Sequence, residues 1–200
     1  MKLVIIGAQG TIGKKVSNLL SSEGHEIIQV GKKSGDYQAD LAEPETLKTL
    51  FQKIGRFDSL AIAAGEVAFA PLEELTLEQW QDSFQNKLLG QIQAVQKALP
   101  YIRDGGSFTL IGGSLSNDPI KAGTAASTVN RALEGFVISA SCDLPRGLRI
   151  NLVSPTVLEE SVKTYGNFFP GVIPVAGDRV AQAYKKSILG CQTGQIYFVT

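Results

Sequence analysis

Seven residues, Gly7-Ala8-Gln9-Gly10-Thr11-Ile12-Gly13, constrain this chain most, because an apolar strand from Leu3 to Ile6 runs into them and a helical pattern runs out. Glycine allows a sharp turn and a close backbone approach to a ligand. The free N–H groups and dipole of the helix that follows attract a pyrophosphate. The spacing is Gly-x-x-Gly-x-x-Gly rather than the stricter Gly-x-Gly-x-x-Gly, so the strand and helix around it carry the reading of a dinucleotide or related site. The competing reading is a tight turn whose glycines are structural only.

The rest of the chain repeats the strand-then-helix pattern. Ile12, Val16, Leu19 and Leu20 recur at helical spacing and Gly24 closes that helix. Glu26 to Val30 reads as a second strand and Tyr37 to Leu41 as a short alternating one. Pro44 opens a helix with Leu47, Leu50, Phe51 and Ile54 on its apolar face, and Gly55 ends it. Asp58 to Ala63 suits a buried parallel strand. A long helix capped by Thr76 then carries Leu77, Trp80, Phe84, Leu88, Ile92, Val95 and Leu99, with Asn86 in its middle, where an asparagine needs exposure or a local partner. Gly105-Gly106 turns into a strand from Ser107 to Ile111, followed by a helix from Ala122 to about Leu144 and a strand from Leu148 to Val153. A segment containing Phe and Pro runs through Pro174 to a last helix and strand.

Strands alternating regularly with helices predict an α/β fold: one doubly wound domain over residues 1–200, with a parallel sheet of about seven strands and helices on both faces. Right-handed crossovers put every strand's C-terminal end on one edge. The glycine loop, Ala63-Ala64-Gly65, Ser114 and Ser154-Pro155-Thr156 then surround a single cleft.

Composition narrows the function. The chain has 200 residues, 44% of them hydrophobic, and a formal net charge of +0, enough apolar material for a full core in one soluble domain. Its basic residues are scattered, which argues against a nucleic-acid partner. No apolar stretch is long enough to cross a bilayer, and the first residues lack the charged and apolar regions of a signal peptide, so the expectation is a cytoplasmic protein with no membrane partner. Cys142 and Cys191 stand apart and His25 is the only histidine, so no metal-ligand set is present in the sequence.

The second strand's end speaks to cofactor choice. An NAD-selective site places a carboxylate there to accept from the ribose 2′-OH, whereas this chain has Gly31, followed by Lys32, Lys33 and Ser34. Two cations and a hydroxyl suit a 2′-phosphate, which favours NADP(H) while leaving NAD(H) open. A merely solvated loop is the alternative.

With these pieces in place, the chain resembles the short-chain dehydrogenase/reductase family over nearly its whole length. Gly7 to Gly13 looks like the family's cofactor loop, Asp40-Leu41 like its adenine-contacting pair, and Ala63-Ala64-Gly65 like its Asn-Ala-Gly element. Asn86 matches the helix asparagine of the catalytic set. Ala132-Leu133-Glu134-Gly135-Phe136 resembles the end of the active-site helix, and Arg149 to Pro155 the strand after it. The resemblance implies a Rossmann fold and cofactor contacts from Gly7, Gln9, Gly10, Thr11, Ile12, Gly13, Lys32, Lys33, Ser34, Asp40, Leu41, Ala63, Ala64, Gly65, Asn130, Pro155 and Thr156. It also implies a homodimer or homotetramer through the two long helices, whose apolar and small residues exceed what one sheet face needs.

The pattern breaks at the chemistry. The family's Tyr-x-x-x-Lys pair, acid or base and its lysine, falls on Ala126 and Asn130, and the family serine on Gly113 or, with a one-residue shift, Ser114. Ala126 has no polar atom, and the Asn130 amide can bond a ribose but supplies no charge. Ser114 and Asn86 remain as candidate catalytic residues, and Tyr165, in the loop after the sixth strand, as a side chain able to reach over the cleft. The resemblance therefore leaves an NADP-dependent oxidoreductase of small carbonyls or alcohols with non-standard or weak catalysis. The rivals are a cofactor-binding sensor or interaction protein without turnover, and a structural homologue without cofactor.

Overall fold

In the computed structural model, which describes residues 1–200, the run Lys2–Ile6 forms β1 near the centre of a parallel sheet. The other strands are β2 (Glu26–Gly31), β3 (Tyr37–Gln38), β4 (Phe57–Ile62), β5 (Ile102–Ile111), β6 (Arg149–Pro155) and β7 (Ile196–Val199). Their spatial order is β3-β2-β1-β4-β5-β6-β7, every pair parallel. β1 shows why the runs are continuously apolar. Leu3 and Ile5 enter the core on one face, Val4 and Ile6 the core on the other, and both faces are roofed by helices.

On one face lie α1 (Thr11–Ser22) and α7 (Gly177–Leu189), packed on each other. Opposite them are α2 (Pro44–Ile54), the long helical stretch of α3 (Leu77–Ser83) and α4 (Gly90–Ala98), and α5 (Thr124–Asp143). The order of β-strands reverses between β1 and β4, so the loop after β1 opens at the place where neighbouring chains part to opposite sides.

Three features depart from the sequence expectation. First, helices do not alternate with strands throughout: β2 passes to β3 through the loop 32–36 alone. A parallel pair ordinarily needs a long crossover. Here β3 has two residues, starts level with Val30 and needs no journey back along the sheet, and Asp36 ties the loop to Gln29 through both its backbone N–H and its carboxylate. Second, β5 begins at Ile102, five residues before the expected start at Ser107, with the Gly105-Gly106 turn absorbed as an irregularity opposite Asp58. A Cβ on Gly106 would lie 2.5 Å from the Asp58 carbonyl oxygen.

Third, the long helix is interrupted. Thr76 caps α3 with Gln79 in a reciprocal capping box, as its sequence suggests. Phe84–Leu89 then widens into a π-helix before α4 begins. The apolar positions mark only part of its buried face: Leu88 and Val95 enter the core, but Leu77 is 72% exposed, and Ser83, Gln91, Ala94 and Ala98 are buried beside them. Much of the buried stripe is polar or small.

Between β6 and α7 the chain makes an excursion that includes the short helix α6 (Val162–Tyr165) and closes on itself through a Leu158–Val175 bridge. Lys15 of α1 holds its base by pairing with Glu160 and Asp178, each at 3.1 Å.

Deep between α7 and the sheet, the Tyr184 hydroxyl donates to the Ile62 carbonyl oxygen at 2.6 Å and fixes the end of β4. Tyr184→Phe leaves that carbonyl without this donor in a dry core, and urea unfolding is expected to show a loss of about 1–2 kcal/mol.

Candidate active site

The glycine loop is shaped by atoms that are missing. Gly7 sits at φ +83°, and a Cβ there would lie 2.6 Å from the Ala63 carbonyl oxygen at the end of β4. A Cβ on Gly13 would stand 2.1 Å from the Gly7 carbonyl oxygen, so α1 can approach the loop only with glycine at this position. The Gly7 and Ala8 N–H groups both donate to the Val30 carbonyl and hold the turn. The first helical bond of α1 is Lys14 N–H to Gly10, so the N–H groups of Thr11, Ile12 and Gly13 have no acceptor in the protein. No side chain caps this end and its first turn carries no acid. That leaves a positive helix terminus open to an anion.

Beside it, a narrow cavity is lined by Gly7, Gly31, Lys32, Asp40, Leu41, Ala64, Gly65 and Asn86. Lys32 and Asp40 pair across it at 2.7 Å. Burial pushes the Asp40 carboxyl upward, but the Lys32 ammonium and the Ala42 N–H outweigh this and hold it below the usual carboxylate range. Lys33 and Ser34 are exposed on the adjoining loop, and the Ser34 carbonyl oxygen lies 2.6 Å from where a Cβ of Gly31 would be. Gln9 is also exposed, its amide donating to Gln29. The Asn86 amide donates to the Asp82 carbonyl, on the side of this narrow cavity rather than in the main cleft.

Beyond Ala63-Ala64-Gly65 the cleft widens into a largely apolar cavity of about 460 Å³, bounded by Ile12, Pro155 and Thr156 toward the glycine loop and by Phe69, Ile120, Phe168 and Phe169 away from it. A second, more polar cavity of about 380 Å³ adjoins it and brings together Ser114, Ala126 and Asn130. Both share Lys87 and Tyr165 in their walls. The Asn130 side chain is buried, and its Oδ1 has no hydrogen-bond partner. α5 contributes neither tyrosine nor lysine to these walls.

Lys87 and Gln91 are the site residues that sequence reasoning missed. Gln91 is fully buried: its amide donates to the Lys87 and Ile111 carbonyls and its Oε1 accepts from the Ile111 N–H, so one side chain pins the π-helix to the end of β5. Lys87 runs over Gly65, where a Cβ would come within 2.8 Å of its Cγ, and its Nζ donates to the Gly112 carbonyl oxygen at 3.1 Å. No ion pair meets it, and burial alone pushes its ammonium down to about 8. The available signal was the spacing Ser83, Lys87, Gln91, Ala94, Ala98, a helical stripe without large apolar residues.

A parallel sheet that reverses its order at a glycine loop, with an open helix terminus above it, defines a Rossmann-type α/β domain. The comparisons with known proteins make this specific. The sequence model described as enoyl-(acyl carrier protein) reductase matches residues 4–180, and the chain belongs to that family, within the short-chain dehydrogenases/reductases. It is 27% identical over 187 residues to an uncharacterized oxidoreductase of Methylorubrum extorquens, an alignment covering 82% of this chain and 75% of that one. It is 27% identical to a hydroxynaphthalene reductase of Aspergillus fumigatus, covering 78% of this chain and 59% of the fungal one. Among solved structures, the protein lin1944 from Listeria innocua superposes with a TM-score of 0.98 at 41% identity over the whole of both chains. A small-chain dehydrogenase in complex with NADPH superposes with a TM-score of 0.89 at 23% identity, covering 100% of this chain and 96% of that one, a likeness of fold. No helix is long and apolar enough to cross a membrane.

Lys87 links the site to stability. Below about pH 8 it carries its charge in both folded and unfolded chains, and the full desolvation cost stands. Between about 8 and its ordinary value of 10.5 the folded chain releases the proton first, so stability rises with pH in that window. Lys87→Met is therefore expected to be more stable than the parent by about 1–3 kcal/mol at pH 7, with the gap narrowing toward pH 10 in parallel urea titrations.

Proposed function

We propose that this chain is an NADP(H)-binding oxidoreductase acting on a small carbonyl or alcohol with an apolar body. The observation that carries the reading is the continuity of an uncapped helix terminus at the glycine loop with a largely apolar cleft at the ends of β4, β5 and β6. The donor set fits the cofactor. The Thr11, Ile12 and Gly13 N–H groups would hold the pyrophosphate, and the absent Cβ atoms of Gly7 and Gly13 make room for the close approach. Asp40 and Leu41 would border the adenine. Lys33 and Ser34 would meet a 2′-phosphate, together with Lys32 if it leaves Asp40, and the partnerless Asn130 Oδ1 would accept from a ribose hydroxyl. Ala63 to Gly65, Pro155 and Thr156 would border the nicotinamide end.

When bound, the nicotinamide cofactor supplies or accepts the hydride. The protein's part is to exclude water with the aromatic wall, orient the substrate oxygen through Ser114 and manage a proton. Of the α5 side chains in the cavity walls neither can do the last, since Ala126 is apolar and Asn130 is an amide. A positioned acid contributes about 10²- to 10⁴-fold, so turnover is expected to be slow. Leu89 and Ile138, which are exposed on the long helices, would contribute to a homodimer or homotetramer.

The absence of an acid among the α5 residues of the cavity walls also favours a second reading, a cofactor-binding sensor or interaction protein that keeps the cleft without turnover. Titration with NADPH and NADH, followed by nicotinamide fluorescence, is expected to show tighter binding of NADPH. Lys33→Glu should weaken NADPH while sparing NADH, and absence of binding by either nucleotide at millimolar concentration would remove both readings. Ala126→Tyr with Asn130→Lys is expected to raise reductase activity on any substrate the parent turns over. NADPH binding with no turnover by parent or double variant across a broad carbonyl and alcohol screen would favour the sensor.

A further inference from the structure

Lys87 is the one ammonium in the walls of both cavities, and nothing in the protein neutralises it. Its stem passes over Gly65, and its Nζ has a single protein acceptor, the neutral Gly112 carbonyl oxygen at 3.1 Å. Of an ammonium's three donors, two are left for a ligand. The titratable groups facing it from the surrounding elements are Glu66, from the loop after β4, and Tyr165, from α6, and neither pairs with it. The end of β5 and the facing part of α5 offer Gly112, Gly113, Ser114, Ala126 and Asn130, none of them charged. Lys87 is half-buried, and a partly desolvated cation without a counterion is costly, a cost that falls when an anionic oxygen arrives. The larger cavity that Lys87 lines has a mostly apolar wall, with Phe69, Ile120, Val157, Phe168 and Phe169 in it.

We propose that Lys87 is the anchor of a subsite for a carboxylate ligand with an apolar body, its ammonium taking the carboxylate and the aromatic wall taking the body. The assignment rests on reading this cleft as the substrate end of the site. It differs from the cofactor's anion site, which lies at the N-terminus of α1 and uses backbone N–H groups. The charge that α5 does not supply thus comes from the opposite wall, out of the π-helix between α3 and α4.

The probe is 4-phenylbutanoate, with the uncharged 4-phenylbutanamide as its control, titrated calorimetrically into the full chain with and without saturating NADPH. The parent is expected to prefer the acid by about tenfold or more, as a hydrogen bond to a charged group implies. Lys87→Met should abolish that preference while keeping amide binding, and Lys87→Arg should restore part of it. Acid binding to the parent should weaken as pH rises above about 8 and the ammonium is lost, by about the same factor as its preference for the acid, with no such fall in Lys87→Met. A circular dichroism spectrum matching the parent's confirms that the variants fold. Equal acid binding by parent and Lys87→Met, a pH-independent affinity, or no binding of the acid at 10 mM (roughly the upper limit of specific affinity) would each overturn the proposal. So would displacement of the acid by NADPH together with weaker NADPH binding in Lys87→Met, since Lys87 would then be serving a cofactor phosphate. Acid binding fails alone if NADPH still binds the parent, whereas loss of NADPH binding with the acid preference intact removes the cofactor reading and leaves the carboxylate subsite standing.

Discussion

The 2.1 Å that would separate a Cβ on Gly13 from the Gly7 carbonyl oxygen governs the rest of the site. No side chain survives at that distance, and glycine there lets α1 start directly on the loop with its first N–H groups turned to the end of β1. Gly7, at φ +83° against the Ala63 carbonyl, does the same between the loop and β4. The two contacts fix α1, β1 and β4 around the point where the strand order reverses, and a widened loop would move the helix terminus away from the cleft it faces.

The other wall is fixed by polar bonds instead of close packing. Gln91 spends its whole amide on the Lys87 and Ile111 backbone, so the π-helix and the end of β5 move as one piece. A π-helix is rarer than an α-helix and is frequently found at functional sites. Its widening here coincides with Asn86 bordering the narrow cavity and Lys87 entering the broad one, two consecutive residues serving neighbouring parts of one cleft. On the far side, Glu134 accepts from Ser116 and pairs with Arg131, which seats the turn carrying Ser114 on α5. α5 itself carries neither tyrosine nor lysine, so the polar anchoring of this wall comes from Gln91 and from the Glu134 contacts.

How much was legible in the sequence depended on whether large apolar side chains carried the signal. Continuous apolar runs gave the parallel strands, and glycine and proline gave the ends of α1 and α2, because backbone chemistry acts locally. The helix-free passage into β3 was not legible, since a two-residue strand has too little pattern to show where it pairs. The long helix misled more instructively. Its large apolar residues suggested one buried face; Leu88 and Val95 are on it, Leu77 is not, and Ser83, Gln91 and two alanines fill the rest, the polar pair held by hydrogen bonds. Hydrophobic periodicity does not register such positions, nor a lysine on the same stripe. Lys32 and Asp40 both line the narrow cavity, and their pairing across it depends on tertiary distance alone.

The excursion from Leu158 to Val175 joins the two halves of the cleft. Its aromatic residues Tyr165 and Phe168 are each 50% exposed, although they stand in the wall of a largely apolar cavity. Apolar surface left open in a concave wall is covered when the cavity fills, and the gain scales with the area removed from water. The excursion does not hang free, because Lys15 pairs with Glu160 at its start and with Asp178 in the first turn of α7, just past its end. Both carboxylates raise the affinity of Lys15 for its proton, so the tie holds across the neutral range. Lys15 belongs to the first turns of α1, and the aromatic wall is therefore positioned by the same helix whose N-terminus faces the glycine loop. An anion drawn to that terminus and an apolar body held by that wall act on one rigid element, which gives the two ends of the cleft a shared mechanical reference without any contact between their ligands.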